Sequence, residues 1–175
     1  MSNNLSVREI QKKDINSIAD YWLCSTPGFL QQMGVDLKKL PARAQWEKML
    51  NEQLNQPYTE KKSYCIIWQA EGDAVGHSNV NKIIFGKEAF MHLHLWNTGD
   101  RQKGFGTALV KMTLPYFFKN LKLKKLYCEP YSLNPSPSKT LEKTGFTFVK
   151  EYITIPGSIN FEQPVKLWEL SYESK

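Results

Sequence analysis

Apolar residues recur every three or four positions in two stretches near the start of the chain, which predicts two helices. A short strand at residues 5–10 precedes the first stretch, and Asp14 is placed to cap the helix that follows. The first apolar stripe consists of Ile15, Ile18, Ala19, Trp22 and Leu23. The second begins after Pro41 and consists of Trp46, Met49, Leu50 and Leu54. Between the two helices, residues 24–41 predict a loop or a broken helix.

From residue 62 onward the pattern is typical of strands separated by turns. Three strands are expected at residues 62–71, 74–84 and 89–96, and together they predict an antiparallel meander. A long helix, a strand at 123–130 and a short helix follow, the last with Ser136 as its N-cap and Gly145 as the left-handed residue that ends it. Strands at 146–155 and 163–172 close the chain. This order predicts a mixed α/β fold built in layers.

Length and composition favour a single globular domain over residues 1–175. The chain has 175 residues, of which 41% are hydrophobic, and contains no low-complexity tract. No signal-like apolar segment and no apolar run of roughly 18 residues is present, so we expect neither secretion nor membrane insertion. The three cysteines are widely spaced and odd in number, which favours a reducing cytoplasm over a disulfide framework or a zinc site. They are Cys24, Cys65 and Cys128.

The net charge of +6 admits three interpretations. Part of the charge lies in a lysine cluster at residues 119–125. Such a cluster is consistent with a solvated face, with an anionic cofactor or with nucleic acid. No zinc-finger or RNA-binding motif accompanies it, which makes nucleic acid the least favoured partner.

The stretch GDRQKGFGTALV, residues 99–110, has the character of a phosphate-binding loop before a helix. Glycines let the backbone approach a phosphate, and the amides and dipole of a helix N-terminus attract it. A P-loop requires Lys and Ser or Thr after Gly104, where Phe105 and Gly106 stand instead. A dinucleotide fingerprint requires a third glycine, where Leu109 stands. The pattern Arg/Gln-x-x-Gly-x-Gly/Ala fits without a gap, through Arg101, Gly104 and Gly106.

This pattern resembles motif A of the GCN5-related N-acetyltransferase (GNAT) superfamily, in which the loop cradles the pyrophosphate of coenzyme A. Asn134 and, eleven residues later, Gly145-Phe146 resemble the family's motif B. The order of elements also matches, over most of residues 5–172. Residues 24–60 are the exception, in a region that varies in this family with the acceptor. The resemblance implies the GNAT fold, with a mostly antiparallel sheet splayed between its fourth and fifth strands, and acetyl-CoA as co-substrate without a metal.

Carried over to this sequence, the resemblance implies a set of residues for acetyl-CoA. Leu95 and Trp96 mark where a backbone N–H would polarise the thioester carbonyl. The loop, the start of the helix and two later positions would hold the rest of the cofactor. The full set is Leu95, Trp96, Arg101, Gln102, Lys103, Gly104, Phe105, Gly106, Thr107, Asn134 and Lys143.

Five side chains are candidates for proton transfer. Strand alternation puts His92 and His94 on one face of the strand that leads into the loop. His92 is the preferred base because it lies farther from the phosphates, and Glu129 is the second choice. The tyrosine that many family members use as general acid falls at Leu141, which cannot donate a proton. Tyr131 and Ser138 are the candidates to replace it.

Each of these candidates has a structural alternative. The two histidines could be packing residues, and a His-x-His metal site lacks a third ligand nearby. Glu129 could be a turn residue and Tyr131 a packing ring, and His77 is expected to be structural. Four aromatic side chains could line the acceptor side or belong to the core: Trp22, Phe29, Trp46 and Tyr58.

The sequence thus predicts an acetyl-CoA-dependent N-acyltransferase that acts directly on a primary amine of a small molecule or protein. The alternative is a non-catalytic acyl-CoA-binding or regulatory module on the same fold, which the leucine at 141 keeps open. A nucleic-acid-binding domain is the third hypothesis. The expected partner is an amine acceptor in the cytoplasm, without membrane contact, and the assembly is either a monomer or a homodimer.

Overall fold

A computed structural model of the protein describes residues 4–101 and 103–173. The strands within these ranges are β1 (Leu5–Glu9), β2 (Tyr64–Ala70), β3 (Asp73–Ile84), β4 (Glu88–Leu95), β5 (Lys125–Cys128), β6 (Thr147–Thr154) and β7 (Gln163–Ser171). The helices are α1 (Ile15–Cys24), α2 (Pro27–Gln32), α3 (Arg43–Leu54), α4 (Thr98–Arg101), α5 (Phe105–Asn120) and α6 (Pro135–Lys143). None of these helices combines the length and apolar character that crossing a membrane requires.

The seven strands form one sheet in the order β1-β2-β3-β4-β5-β7-β6. Every neighbouring pair is antiparallel except β4 and β5, which run parallel. Those two strands pair only where residues 88–90 of β4 face residues 125–127 of β5. Beyond Phe90, β4 continues for five residues without β5 beside it. The mixed α/β fold, the meander and the opening between the fourth and fifth strands are therefore confirmed.

Two hydrophobic clusters cover the two faces of the sheet. Alternation along β2 divides its side chains, with Ile66 and Trp68 in the cluster beneath α5 and Cys65 and Ile67 in the cluster beneath α1–α3. Strand β4 divides in the same way, since Met91 packs on the α5 side whereas Trp96, just after the strand, packs on the α1–α3 side. The faces predicted from the β4 sequence are therefore correct.

The predicted broken helix at residues 24–41 contains α2, which starts at Pro27 behind Thr26. The hydroxyl of Thr26 accepts a hydrogen bond from Phe29 N.

Two helix starts differ from the prediction. Asp14 precedes α1 but its side chain does not cap that helix. Its carboxylate instead accepts hydrogen bonds from the Arg8 guanidinium and from Gln11 N, which compete for the same oxygens. Helix α6 begins at Pro135 behind Asn134, so Ser136 lies inside the helix and is not its N-cap. Proline suits this position because the first helical residues need no hydrogen-bond donor. Gly145, with φ of +94°, follows α6 as predicted.

Candidate active site

The divergence of β4 from β5 exposes backbone groups of β4. Trp96 N donates to Val75 O at 2.9 Å, so the N–H of Trp96 points toward β3. Hydrogen-bonding direction alternates along an antiparallel strand, and the β3–β4 register is unbroken back to Asn81. Leu93 and Leu95 therefore turn their N–H and C=O groups to the opposite edge, where β5 no longer accompanies β4. Of the two positions predicted to polarise a carbonyl, Leu95 has a free N–H, whereas that of Trp96 is occupied.

The glycine loop delivers the N-terminus of α5 to the same opening. Gly104 adopts a φ of +74°, a left-handed conformation that other residues enter only with strain. Helix α5 then begins at Phe105, whose ring is buried in the core and anchors the helix. The N–H groups of Phe105, Gly106 and Thr107 have no partner within the helix, because the first turn of any helix leaves them free. Such a cradle fits a pyrophosphate.

The cationic side chains expected to hold the cofactor make different contacts in the structure. The Arg101 guanidinium donates from Nε and Nη2 to Leu95 O at 3.1 and 2.9 Å and stacks 3.9 Å from the centre of the Phe29 ring. It therefore ties the end of β4 to α2. Lys103 is exposed and its Nζ lies 3.1 Å from Asp100 Oδ1, and Lys143 is exposed at the end of α6. Gln102 lies outside the described residues.

A cavity of about 320 Å³ opens on the α1–α3 side of the sheet, next to the divergence of β4 and β5. Its floor is formed by β3 and β4, and its walls by α1, α3, the segment that follows β5 and the segment between β6 and β7. Asn134 lines it, and the Asn134 side chain makes no capping bond to α6. That side chain is therefore available to a bound group such as the pantetheine arm. The cavity volume is in the range of small-molecule sites.

His92 and His94 both line the cavity, as their common face predicted. Removal from water, with a smaller contribution from Lys82, lowers the pKa of His92 to about 4, so its ring is neutral at pH 7. His92 Nε2 is buried and has no hydrogen-bond partner. His94 Nδ1 instead lies 3.1 Å from Tyr21 Oη, and its ring packs edge-on against Trp22. His92 thus has a nitrogen available for chemistry, and His94 is held in an aromatic contact set.

His77, for which the sequence predicts a structural role, belongs to the same group of aromatic contacts as His94. Its ring stacks on His94 with centroids 4.8 Å apart, and its Nδ1 accepts a hydrogen bond from Trp96 Nε1 at 2.9 Å. Burial lowers the pKa of His77 to about 3. The bond from the indole identifies Nδ1 as the unprotonated nitrogen.

Glu129 lies at the cavity wall directly after β5 and its side chain is only 5% exposed. Burial raises its pKa, and the Lys82 ammonium, 3.7 Å away, offsets part of that effect. The Tyr152 hydroxyl donates to its other carboxylate oxygen. Lys82 reaches Glu129 because it sits in a β-bulge, with φ of +47°, where the pairing of β3 with β4 shifts.

Tyr131, Asn134 and Pro137 line the cavity. Ser138, the residue after Pro137, does not. The Tyr131 ring packs edge-on against Phe161 at 5.7 Å. Leu141 is fully buried in the cluster beneath α5, so a leucine at this position belongs to the core. Of the two hydroxyls predicted as replacements for the family's tyrosine, the structure brings only Tyr131 to the cavity.

Of the four aromatic side chains that could line the acceptor side or belong to the core, two line the cavity. Trp22 and Trp46 stack with centroids 5.6 Å apart and an interplanar angle of 4°. Phe29 lies under Arg101, and Tyr58 packs against Tyr64 away from the cavity.

Three residues that bear on the site have no signal in the sequence. Lys82, Tyr152 and Tyr21 reach the candidate residues only through sheet register and helix packing. The bulge at Lys82 in particular follows no turn motif.

Comparison with known proteins agrees with this geometry. A family model described as an acetyltransferase (GNAT) domain matches residues 4–147. A spermidine N-acetyltransferase from Vibrio cholerae, solved with CoA and spermine, is 18% identical, with a TM-score of 0.76 and 95% of each chain covered. RimL, a ribosomal L7/L12 alpha-N-protein acetyltransferase solved with coenzyme A, is 11% identical, with a TM-score of 0.77 over 97% of this chain and 95% of its own. No curated protein matches the sequence.

Proposed function

The chain belongs to the GNAT family of acetyltransferases, and from this we propose that it moves an acetyl group from acetyl-CoA directly to a primary amine of a small molecule or peptide. One observation carries the proposal: the opening beyond Phe90 brings the free β4 amides, the start of α5 and the cavity to one place. A bound acetyl-CoA supplies the activated thioester. The residues of this chain supply position and proton transfer. We assign the whole of residues 1–175 to this one domain.

The backbone holds the donor substrate. The first amides of α5 bind the pyrophosphate with the helix dipole behind them. The amide of Leu93 and the side chain of Asn134 receive the pantetheine arm along the edge of β4. The Leu95 N–H hydrogen-bonds to the carbonyl oxygen on which negative charge develops. Arg101 keeps this amide in place, because it holds the carbonyl of the same residue.

His92 accepts the proton of the amine in this proposal. A nitrogen that forms a bond to a carbonyl carbon becomes positively charged and strongly acidic, so a weak base suffices at that stage. The His92 ring is neutral at pH 7 and its Nε2 is free to accept. Glu129 is the second candidate, but Lys82 and Tyr152 already contact its two oxygens. Tyr131 is the hydroxyl assigned to protonate the departing thiolate.

Release of free thiol from acetyl-CoA in the presence of amines tests this assignment. His92→Ala should lower kcat by about a hundredfold or more, since general-base catalysis contributes roughly 10²–10⁴-fold, and should leave the Kd for acetyl-CoA unchanged. His92→Gln controls for lost volume. Unchanged kcat in His92→Ala would move the role to Glu129, to be checked with Glu129→Gln.

The alternative function, a non-catalytic acyl-CoA-binding module, is favoured by the core position of Leu141. The same assay separates the two hypotheses. Tight acetyl-CoA binding without thiol release for any amine would favour the module. Salt-sensitive RNA or DNA binding that coenzyme A does not displace would favour the nucleic-acid hypothesis.

We further propose a homodimer formed through β6, the edge strand of the sheet. Its side chains Phe148, Val149 and Ile153 are 48, 49 and 68% exposed. An antiparallel edge can pair with a second copy of itself about a two-fold axis. Light scattering after gel filtration should give twice the chain mass, and Ile153→Lys should return the monomer mass. A wild-type monomer at high concentration would refute the dimer.

A further inference from the structure

The cavity offers very little negative charge to an amine substrate. Among its lining residues in the described part of the chain, Glu129 is the single side chain with a formal charge. Its carboxylate is already balanced by Lys82 at 3.7 Å and contacted by Tyr152. The chain as a whole carries a net charge of +6, which repels polycations. An acceptor with several ammonium groups would find no carboxylate for the second one.

The walls of the cavity are apolar and aromatic. The stacked pair Trp22 and Trp46 forms one side, and the remaining apolar lining comes mainly from α1–α3 and the loops around them. That lining includes Ile18, Met33, Val35, Pro41 and Leu50. Surfaces of this kind bind a hydrocarbon or aromatic body.

Neutral polar atoms without partners complete the lining. Gln53 Oε1, Asn81 Oδ1 and Trp46 Nε1 are buried and unpaired, and all three residues line the cavity. Gln53 is only 4% exposed. Buried polar groups are normally satisfied, so unpaired ones at a cavity indicate that a ligand or water bonds to them. The two amide oxygens can accept hydrogen bonds from an amine, the indole N–H can donate to a neutral polar group, and none of the three neutralises a charge.

We infer that the acceptor is a monoamine on a compact apolar or aromatic body, and not a polyamine. This inference rests on the proposed function and names the substrate class of that site. One primary amine lies toward the opening, within reach of His92, and its apolar body packs on the two indoles. The unpaired amide oxygens of Gln53 and Asn81 accept its remaining N–H bonds or those of a neutral substituent.

A matched pair of acceptors isolates the second charge. Pentylamine and 1,5-diaminopentane share one carbon chain and differ by one ammonium group. The thiol-release assay should give a kcat/KM at least tenfold higher for pentylamine, because the second ammonium would be desolvated without a partner. 2-Phenylethylamine should exceed pentylamine, while spermidine and a short peptide with a free amino terminus should be poorer than both.

A charge placed at the rim provides the second test. Met49 lines the cavity and is 45% exposed, so a carboxylate there is tolerated by the fold. Met49→Glu should raise the ratio of diamine to monoamine kcat/KM about fivefold, the effect of an exposed ion pair of ~1 kcal/mol. Met49→Gln, which has the same length without the charge, should leave that ratio as in the wild type.

Three outcomes have different meanings. A diamine, spermidine or peptide that outperforms the monoamines overturns the acceptor class and leaves acetyl transfer standing. Absence of thiol release with every amine refutes the proposed function itself. Direct binding provides a readout without turnover: quenching of tryptophan fluorescence should show tighter binding of 2-phenylethylamine than of spermidine, and the reverse order would also overturn the inference.

Discussion

Substitution of Gly106 by valine tests the cofactor loop with a matched control at the same position. A Cβ at residue 106 would lie 3.7 Å from Thr140 Oγ1 and 3.9 Å from Thr140 Cγ2, which are ordinary van der Waals contacts. The backbone at Gly106 is not left-handed, because the φ angle of this residue is not positive. Alanine therefore fits without strain, and it also fits the family pattern at this position.

The two substitutions should separate stability from binding. Gly106→Ala should stabilise the ligand-free chain by about 0.5–1 kcal/mol, since glycine costs that much in a helix, and should keep acetyl-CoA affinity. Valine adds two methyl groups whose direction a helix restricts to one rotamer. Those groups keep a pyrophosphate from the first amides of α5. Loss of two hydrogen bonds to a charged group, at about 1.5 kcal/mol each, corresponds to more than a hundredfold in Kd.

Calorimetric titration with acetyl-CoA and thermal unfolding without ligand measure the two effects separately. The expected result is a folded Gly106→Val whose Kd rises over a hundredfold, beside a Gly106→Ala that binds as the wild type does. A folded Gly106→Val with wild-type affinity would refute the assignment of this loop to the pyrophosphate. Gly104→Ala is a less specific probe, because its φ of +74° adds strain of about 1–2 kcal/mol.

Further predictions concern acid stability, sheet packing and thiol reactivity. The pKa values of three histidines are lowered by burial, namely those of His77, His92 and His94. The unfolded chain therefore binds more protons below about pH 6.5, so urea midpoints should fall as the pH drops from there toward 4; a flat profile would contradict this. Gly76→Ala should destabilise the chain by at least ~2 kcal/mol, since its Cβ would lie 2.3 Å from His94 O, whereas Gly28→Ala, with nothing within 4 Å, should not. In the native chain one thiol, that of Cys24, should react with maleimide, because the other two cysteines are buried. After unfolding all three thiols should react. Reaction of two or more thiols in the native chain would show that the interior opens. The protected pair are Cys65 and Cys128, and burial raises the pKa of Cys128 to about 12.

Local spacing was enough to predict the elements and the faces of the site strand. Met91 and His92 lie on opposite faces of β4 regardless of how the rest of the chain folds, because successive side chains of a strand point to opposite faces. Helix starts were less predictable where several polar side chains compete. Asp14 had the character of a cap, yet the Arg8 guanidinium on β1 takes up its carboxylate. A helix cap is predicted from the residues at one helix end, whereas the arginine that competes for the Asp14 carboxylate lies on a different element, β1.

Assignment of chemical roles depended on contacts that the sequence does not contain. Leu95 and Trp96 were equal candidates until the Trp96 N–H proved to be bonded to Val75. Lys82 and Glu129 are 47 residues apart and meet through a bulge in β3. The two candidate histidines are alike in sequence, and only packing leaves His92 Nε2 free while Tyr21 contacts His94.

The sequence by itself determined the glycine loop before α5, the two faces of β4 and the order of the elements. Each of these depends on residues that are neighbours along the chain, through backbone conformation, side-chain alternation or helical period. Tertiary structure alone decided which amides remain free, which side chains lose water and how much charge the cavity contains. Those properties depend on the register between strands and on the separation of β4 from β5, which bring distant residues together or keep them apart. The loop thus indicated acetyl-CoA from the sequence, whereas the amine it serves could be inferred only from the walls of the cavity.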